Sequence, residues 1–286
     1  MGTRVNQSYV KVAGSLVDIS PGNARTPDVP QTGYDIVIGF IQSNMRGVAD
    51  DYAASDQFDA NLNVYMWHHP SSTIVPVQEP MSTAETTTGM GASNTFLKDY
   101  ATQSLANGRK LLFINVARGG TGFTTPSTNS ASNGFHWRYD LADDSNNLAR
   151  RALSIINNAV AAAGPGSRFV AFLANHGSTD GTNNTDKAIF KAYLKAWIPW
   201  IRTQLNSTDI PYVMMQMRPS LIAAETRHRN IADAQAETAN ELPLVGYALS
   251  PVGSQYARND VVHFNAAGMR IIGHNLYDEW TRLKNL

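Results

Sequence analysis

The chain has 286 residues, 43% hydrophobic and 16% charged, enough for one large α/β domain or two small ones. Its 23 Lys and Arg balance 23 Asp and Glu, so no global field draws it to nucleic acid or to an anionic membrane, and a neutral or weakly charged substrate fits better. The absence of cysteine excludes disulfides, thiolate metal sites and a Cys nucleophile.

Residues 1–33 read as an N-terminal arm or linker. The first twelve are polar and lack the apolar core of a secretory signal, and 21–33 are rich in Pro, Gly, Thr and Asn. No stretch approaches the ~18 apolar residues of a membrane span, so the chain reads as soluble, with no membrane insertion. It would suit the mature part of an exported protein or one domain of a longer one.

From Tyr34 to residue 286, short apolar runs alternate with amphipathic stretches of helical length, which predicts one domain of βα units on a parallel sheet. In chain order the predicted elements are a strand at 35–41, a strand at 62–67, a helix at 95–107, a strand at 110–116 and a helix at 143–163. They continue with a strand at 168–174, a helix at 186–205, a strand at 212–217, a helix at 228–241, a strand at 244–247 and a closing helix at 265–286. Gly108 and Gly164-Pro165-Gly166 are helix stops, because glycine accepts left-handed dihedrals and proline cannot continue a helix. Residues 70–94 and 121–133 read as long polar loops. Loops leaving the carboxyl ends of parallel strands are where ligands bind.

Two segments carry chemistry. The run Ile36 to Ile41 delivers Gln42-Ser43-Asn44-Met45 into a turn, where a serine nucleophile is exposed above a sheet and its own N–H can face an oxyanion. Ser-Asn is equally an ordinary cap or turn pair. Near the C-terminus, Asp260-Val261-Val262-His263 places an acid three residues before a histidine. Asp260 would orient His263, whose other ring nitrogen would take the Ser43 proton and return it to the leaving alcohol. An Asp at a turn beside a half-buried His is the bland reading.

Gln42-Ser43-Asn44-Met45 resembles the Gln-Ser-Asn-Met nucleophile block of the sialate O-acetylesterase branch of SGNH hydrolases, and Asp260 to His263 is similar to that superfamily's Asp-x-x-His block. Between them, Arg118-Gly119-Gly120-Thr121 resembles the Gly-Gly-Thr block, and Asn175-His176-Gly177-Ser178-Thr179-Asp180 stands where the family shows His-Gln-Gly-Glu-x-Asp. The four blocks follow the family's order. The resemblance implies a flavodoxin-like α/β/α sandwich and a serine esterase that removes acetyl groups from a carbohydrate, whether sialic acid or a polysaccharide. It implies an oxyanion hole of the Ser43 and Gly120 amides, with Gly119 the nearest alternative, completed by His176 or Asn175. His176 departs from the family's Gln and Ser178 from its Glu. That departure keeps open a noncatalytic sugar-binding module on the same fold, beside a lipid or thioester hydrolase with the same triad.

No Gly-x-Ser-x-Gly elbow occurs, which argues against the ordinary α/β-hydrolase layout. Gln42, His68, His136 and Trp137 are candidate substrate contacts, because an aromatic ring beside Arg138 suits stacking on a sugar. A loop anchored by its own aromatics is the alternative for the last two. His68-His69 lacks a third ligand at metal spacing, so neither metal nor cofactor is expected. The polar loops and arm would also suit a virion-borne deacetylase on a tail spike, in which case an oligomer is expected.

Overall fold

The computed structural model describes residues 9–12, 15–18, 32–85, 89–124, 132, 134–141 and 145–286. Contacts divide the chain into two units, Met1–Gln31 and Thr32–Leu286. In the first, β1 (Tyr9–Val12) pairs antiparallel with β2 (Ser15–Asp18), Val10 opposite Val17. Residues 1–8, 13, 14 and 19–31 of the expected arm lie outside the described residues, and Thr32 and Gly33 belong to the second unit.

The second unit is built on a seven-stranded sheet. Its central strand, β3 (Tyr34–Ile41), is buried from Asp35 onward, as a continuous apolar run in a doubly covered parallel sheet should be. β4 (Val64–His68), β5 (Thr73–Pro76), β6 (Lys110–Asn115), β7 (Arg168–Asn175), β8 (Tyr212–Met215) and β9 (Val245–Ala248) complete it in the order β5-β4-β6-β3-β7-β8-β9. All pairs are parallel except β4 with β5. The five strands β6-β3-β7-β8-β9 follow the flavodoxin-like order 2-1-3-4-5, with the β4–β5 hairpin added at one edge.

Alternate β3 residues serve two cores. Ile36, Ile38 and Phe40 pack with α3 (Leu148–Ala163), α5 (Lys187–Gln204) and α7 (Thr226–Glu241). Val37 faces the layer of α2 (Ser93–Gln103) and α8 (Ala266–Lys284). The result is a three-layer α/β/α sandwich. Three short helices, α1 (Ser43–Arg46), α4 (Ser178–Thr182) and α6 (Pro219–Ala224), follow β3, β7 and β8 at their carboxyl ends.

Several boundaries differ from the sequence expectation for local reasons. The strand predicted from residue 62 begins at Val64, because Ala60–Leu62 forms a 3-10 turn capped by Asp59 and Asn63 takes a left-handed φ of 53°. The helix predicted from 143 begins at Leu148, where the Asn147 side chain accepts the Arg150 N–H; 143 and 144 lie outside the described residues. The expected loop 70–94 contains β5 and the start of α2. Most of the expected loop 121–133 lies outside the described residues. No described helix is long and apolar enough to cross a membrane.

Candidate active site

The site begins where β3 ends. Ile41 is fully buried with φ at +82°, a left-handed conformation that a β-branched residue adopts only under strain. The turn is held from both sides: the Arg118 N–H donates to the Ile41 carbonyl at 2.6 Å, and the Gln42 N–H donates to the Asn175 carbonyl at 3.1 Å. The chain therefore leaves the sheet at β3, flanked by β6 and β7, which is the switch point of this strand order. Ser43 is the first residue of α1, so its N–H belongs to a first turn, where no intrahelical acceptor exists.

A loop before α8 brings the second half. Residues 257 and 264 form a bridge, and the Arg258 N–H donates to the His263 carbonyl at 3.1 Å, closing the loop on itself. Within it, Asp260 Oδ1 accepts the N–H groups of Val262 at 2.8 Å and His263 at 2.7 Å, while Oδ2 lies 2.9 Å from His263 Nδ1. This is why three-residue spacing works: one carboxylate both shapes the turn and meets the ring. Burial by itself would raise the Asp260 pKa, but the amides and ring of His263 outweigh it and hold the carboxyl below its ordinary value. His263 Nε2 lies 2.7 Å from Ser43 Oγ, so Asp260, His263 and Ser43 form one continuous chain of hydrogen bonds.

Asn44, to which the sequence pattern assigned no role beyond its place in the Gln42-Ser43-Asn44-Met45 block, ties the two halves together. Its Oδ1 accepts the Phe264 N–H at 3.3 Å and its Nδ2 donates to the Val262 carbonyl at 3.4 Å, one bond on each side of His263. Ser43 and His263 open onto a cavity of about 470 Å³ also lined by Gly119, Gly120, Ser178 and Val262. Gly120 sits at φ +64°, which glycine adopts at little cost. The Gly119 N–H donates to Glu85 Oε2 at 2.9 Å, so that amide is already engaged.

Asp180 holds this glycine loop in place: fully buried, it accepts the N–H groups of Phe123 at 3.0 Å and Thr124 at 2.9 Å and the Thr124 hydroxyl at 2.7 Å. Burial raises its pKa against the pull of those bonds. Gln42 does the same from the other side. Its Nε2 donates to the Thr121 carbonyl at 2.8 Å, and its Oε1 accepts the Ser178 hydroxyl at 2.5 Å. Ser178, which stands where the family has Glu, thus still fastens the nucleophile turn.

Five expected contacts are corrected. His176 is fully buried, its Nε2 2.7 Å from the Tyr212 hydroxyl and its ring 4.5 Å from Phe123. Burial pulls its pKa down to about 3, so it is a neutral core residue that does not face the cavity. Asn175, at the end of β7 with its carbonyl on Gln42, borders the Ser43 turn instead. Trp137 is fully buried with its indole N–H on the Thr121 hydroxyl at 3.0 Å, and His136 is 4% exposed, so neither offers a face to a sugar. They anchor the loop. His68 bonds Ser71 Oγ at 2.7 Å and lines a neighbouring cavity rather than that of Ser43, and Gln42, 1% exposed, positions rather than contacts. Among the described residues, no three His, Cys, Asp or Glu side chains gather as metal ligands would.

Comparison with solved structures agrees with the fold. The structure of NanS superposes with a TM-score of 0.69 at 15% identity, covering 90% of this chain and 98% of that one. A protein from Arabidopsis thaliana gives 0.68 at 16% identity, covering 88% and 98%. A carbohydrate acetylesterase from Xanthomonas citri gives 0.57 at 15% identity, covering 87% of this chain and 56% of that one. No curated protein sequence matches the chain. The model of the family described as carbohydrate esterase, sialic acid-specific acetylesterase, matches residues 34–282, nearly the whole second unit, and the chain belongs to that family.

Proposed function

We propose that the protein hydrolyses O-acetyl esters of a carbohydrate through an acetyl-enzyme on Ser43. The observation that carries this reading is the unbroken contact from Asp260 Oδ2 through His263 to Ser43 Oγ at the mouth of the cavity. Ser43 Oγ attacks the acetyl carbonyl carbon while its proton passes to His263 Nε2. The carbonyl oxygen becomes an oxyanion facing the Ser43 and Gly120 N–H groups, with the Asn175 side chain the third donor. When the tetrahedral centre collapses, the ester C–O bond breaks and the histidine proton goes to the sugar oxygen. Water then attacks the acetyl-serine with His263 again taking the proton, and acetate leaves as Oγ is reprotonated.

Each oxyanion donor is expected to contribute roughly 3–4 kcal/mol to the transition state. The cavity suits an acetyl group on a hydroxylated ring better than a long acyl chain, since Val262 is the one aliphatic side chain among its described lining residues. The test is acetate release from an aryl acetate and from O-acetylated glycans by the native protein and Ser43→Ala. Loss on the order of 10⁶ in a still-folded variant supports the reading. Sugar binding without turnover by the native protein would instead favour a binding module.

A further inference from the structure

Glu85 reaches into the Ser43 cavity from the segment between β5 and α2. Its Oε2 accepts the Gly119 N–H at 2.9 Å and lies 3.2 Å from Arg46 Nη1, and its Oε1 is 3.9 Å from Arg118 Nε. Arg46 also lines the cavity, directly after the Ser43 turn, and Arg118 stacks on Phe135 at 3.8 Å. The Nε atoms of both arginines are buried with no hydrogen-bond partner. Two guanidinium groups and a backbone N–H are the elements of a carboxylate cradle. A carboxylate already fills it, and it is the protein's own.

We propose that Glu85 sets the charge preference of the site: as internal counter-ion to Arg46 and Arg118, it directs the cavity toward uncharged acetylated sugars and against sugars carrying a carboxylate. This rests on the esterase reading above. An uncharged sugar enters without disturbing the cradle. A carboxylated sugar either meets Glu85 across the same guanidinium groups, where like charges repel, or displaces it and breaks its bond to Gly119. Only about a fifth of the Glu85 side chain is exposed (18%), as is the case for Arg46 (18%) and Arg118 (19%), so water screens this competition incompletely.

Glu85→Gln keeps an oxygen for the Gly119 N–H and removes the charge; Glu85→Ala removes both. The experiment compares kcat/KM for an O-acetylated neutral hexose and an O-acetylated N-acetylneuraminate at low and high salt. In both variants the acidic-to-neutral ratio of kcat/KM is expected to rise at least about tenfold, less so in high salt, whatever the loss of the Gly119 contact does to both esters alike. A ratio that does not move, or an equal fall for both esters, overturns the proposal and reduces Glu85 to a structural clasp. Calorimetric titration with free N-acetylneuraminate keeps the proposal separable from turnover. Glu85→Gln should bind it about tenfold more tightly than the native protein even if neither hydrolyses any ester, and equal binding counts against the proposal.

Discussion

Replacing Asp260 by Asn tests the proposed mechanism most sharply, because the structure separates the two jobs of that carboxylate. Oδ1 takes the Val262 and His263 amides at 2.8 and 2.7 Å, which an Asn carbonyl can still do, so the loop keeps its shape. The new NH₂ then faces His263 Nδ1, where Oδ2 stood at 2.9 Å, and donates to it. The ring proton is forced onto Nε2, the atom 2.7 Å from Ser43 Oγ, and the base becomes a donor. Such a tautomer change can cost about 10⁴ in kcat. Here the Asp260 side chain is 41% exposed, and water competes for the ring. The expected loss is therefore nearer 10³, about 4 kcal/mol, with KM changed little. Asp260→Ala, which removes the acceptor without installing a donor, should fall between this variant and the native protein. Acetate release at saturating ester, with near-ultraviolet circular dichroism as the check on folding, is the assay. A folded Asp260→Asn protein that keeps more than about a tenth of native kcat would refute the assigned roles of His263 and Asp260.

Ile41→Gly should destabilise by about 1–2 kcal/mol less than Ile38→Gly, although both side chains are fully buried, because only the first relieves a positive φ; urea unfolding of the two variants measures the difference. Asp35 is fully buried, 2.8 Å from Arg109 Nε and 2.7 Å from Arg168 Nε, and accepts the Tyr100 hydroxyl at 2.7 Å. Asp35→Ala should cost about 3–5 kcal/mol of unfolding free energy while leaving KM unchanged, since it lies at the end of β3 remote from Ser43. Burial pushes the Glu79 carboxyl from 4.5 up to about 8, against the opposing bonds from Asn94 and Met81. The folded chain then keeps a proton that the unfolded chain releases, so this contribution is complete below about 4.5 and is lost as pH rises through about 8. Glu79→Gln should match the native protein in acid and exceed it by roughly 2–4 kcal/mol near pH 9, and a parallel pH profile for the two proteins would contradict this.

The helix-covered parallel sheet was legible in the sequence because its determinants are local, while the three-layer sandwich was what the four motif blocks implied by resemblance. Apolar runs such as Ile36 to Ile41 and helix-length amphipathic stretches between them require a doubly covered parallel sheet whatever the strand order. The placement of Ser43 after the first run and of Asp260 and His263 before the last helix was legible for the same reason, since strand ends and three-residue turns are short-range features. Tertiary structure alone decided the rest. His176 and Trp137 sit in polar-looking loops, yet their rings fill the core beside Phe123 and Phe40, because the direction of a side chain in a loop is set by what packs against it. The β4–β5 hairpin was hidden by its short, half-exposed β5, whose pattern carries little periodicity. Glu85 and Arg118 are 33 positions apart in the chain, and Asn44 and Phe264 are 220 apart. No local pattern encodes such pairs; only folding the carboxyl ends of the strands onto one another brings the charge and the clamp to the serine.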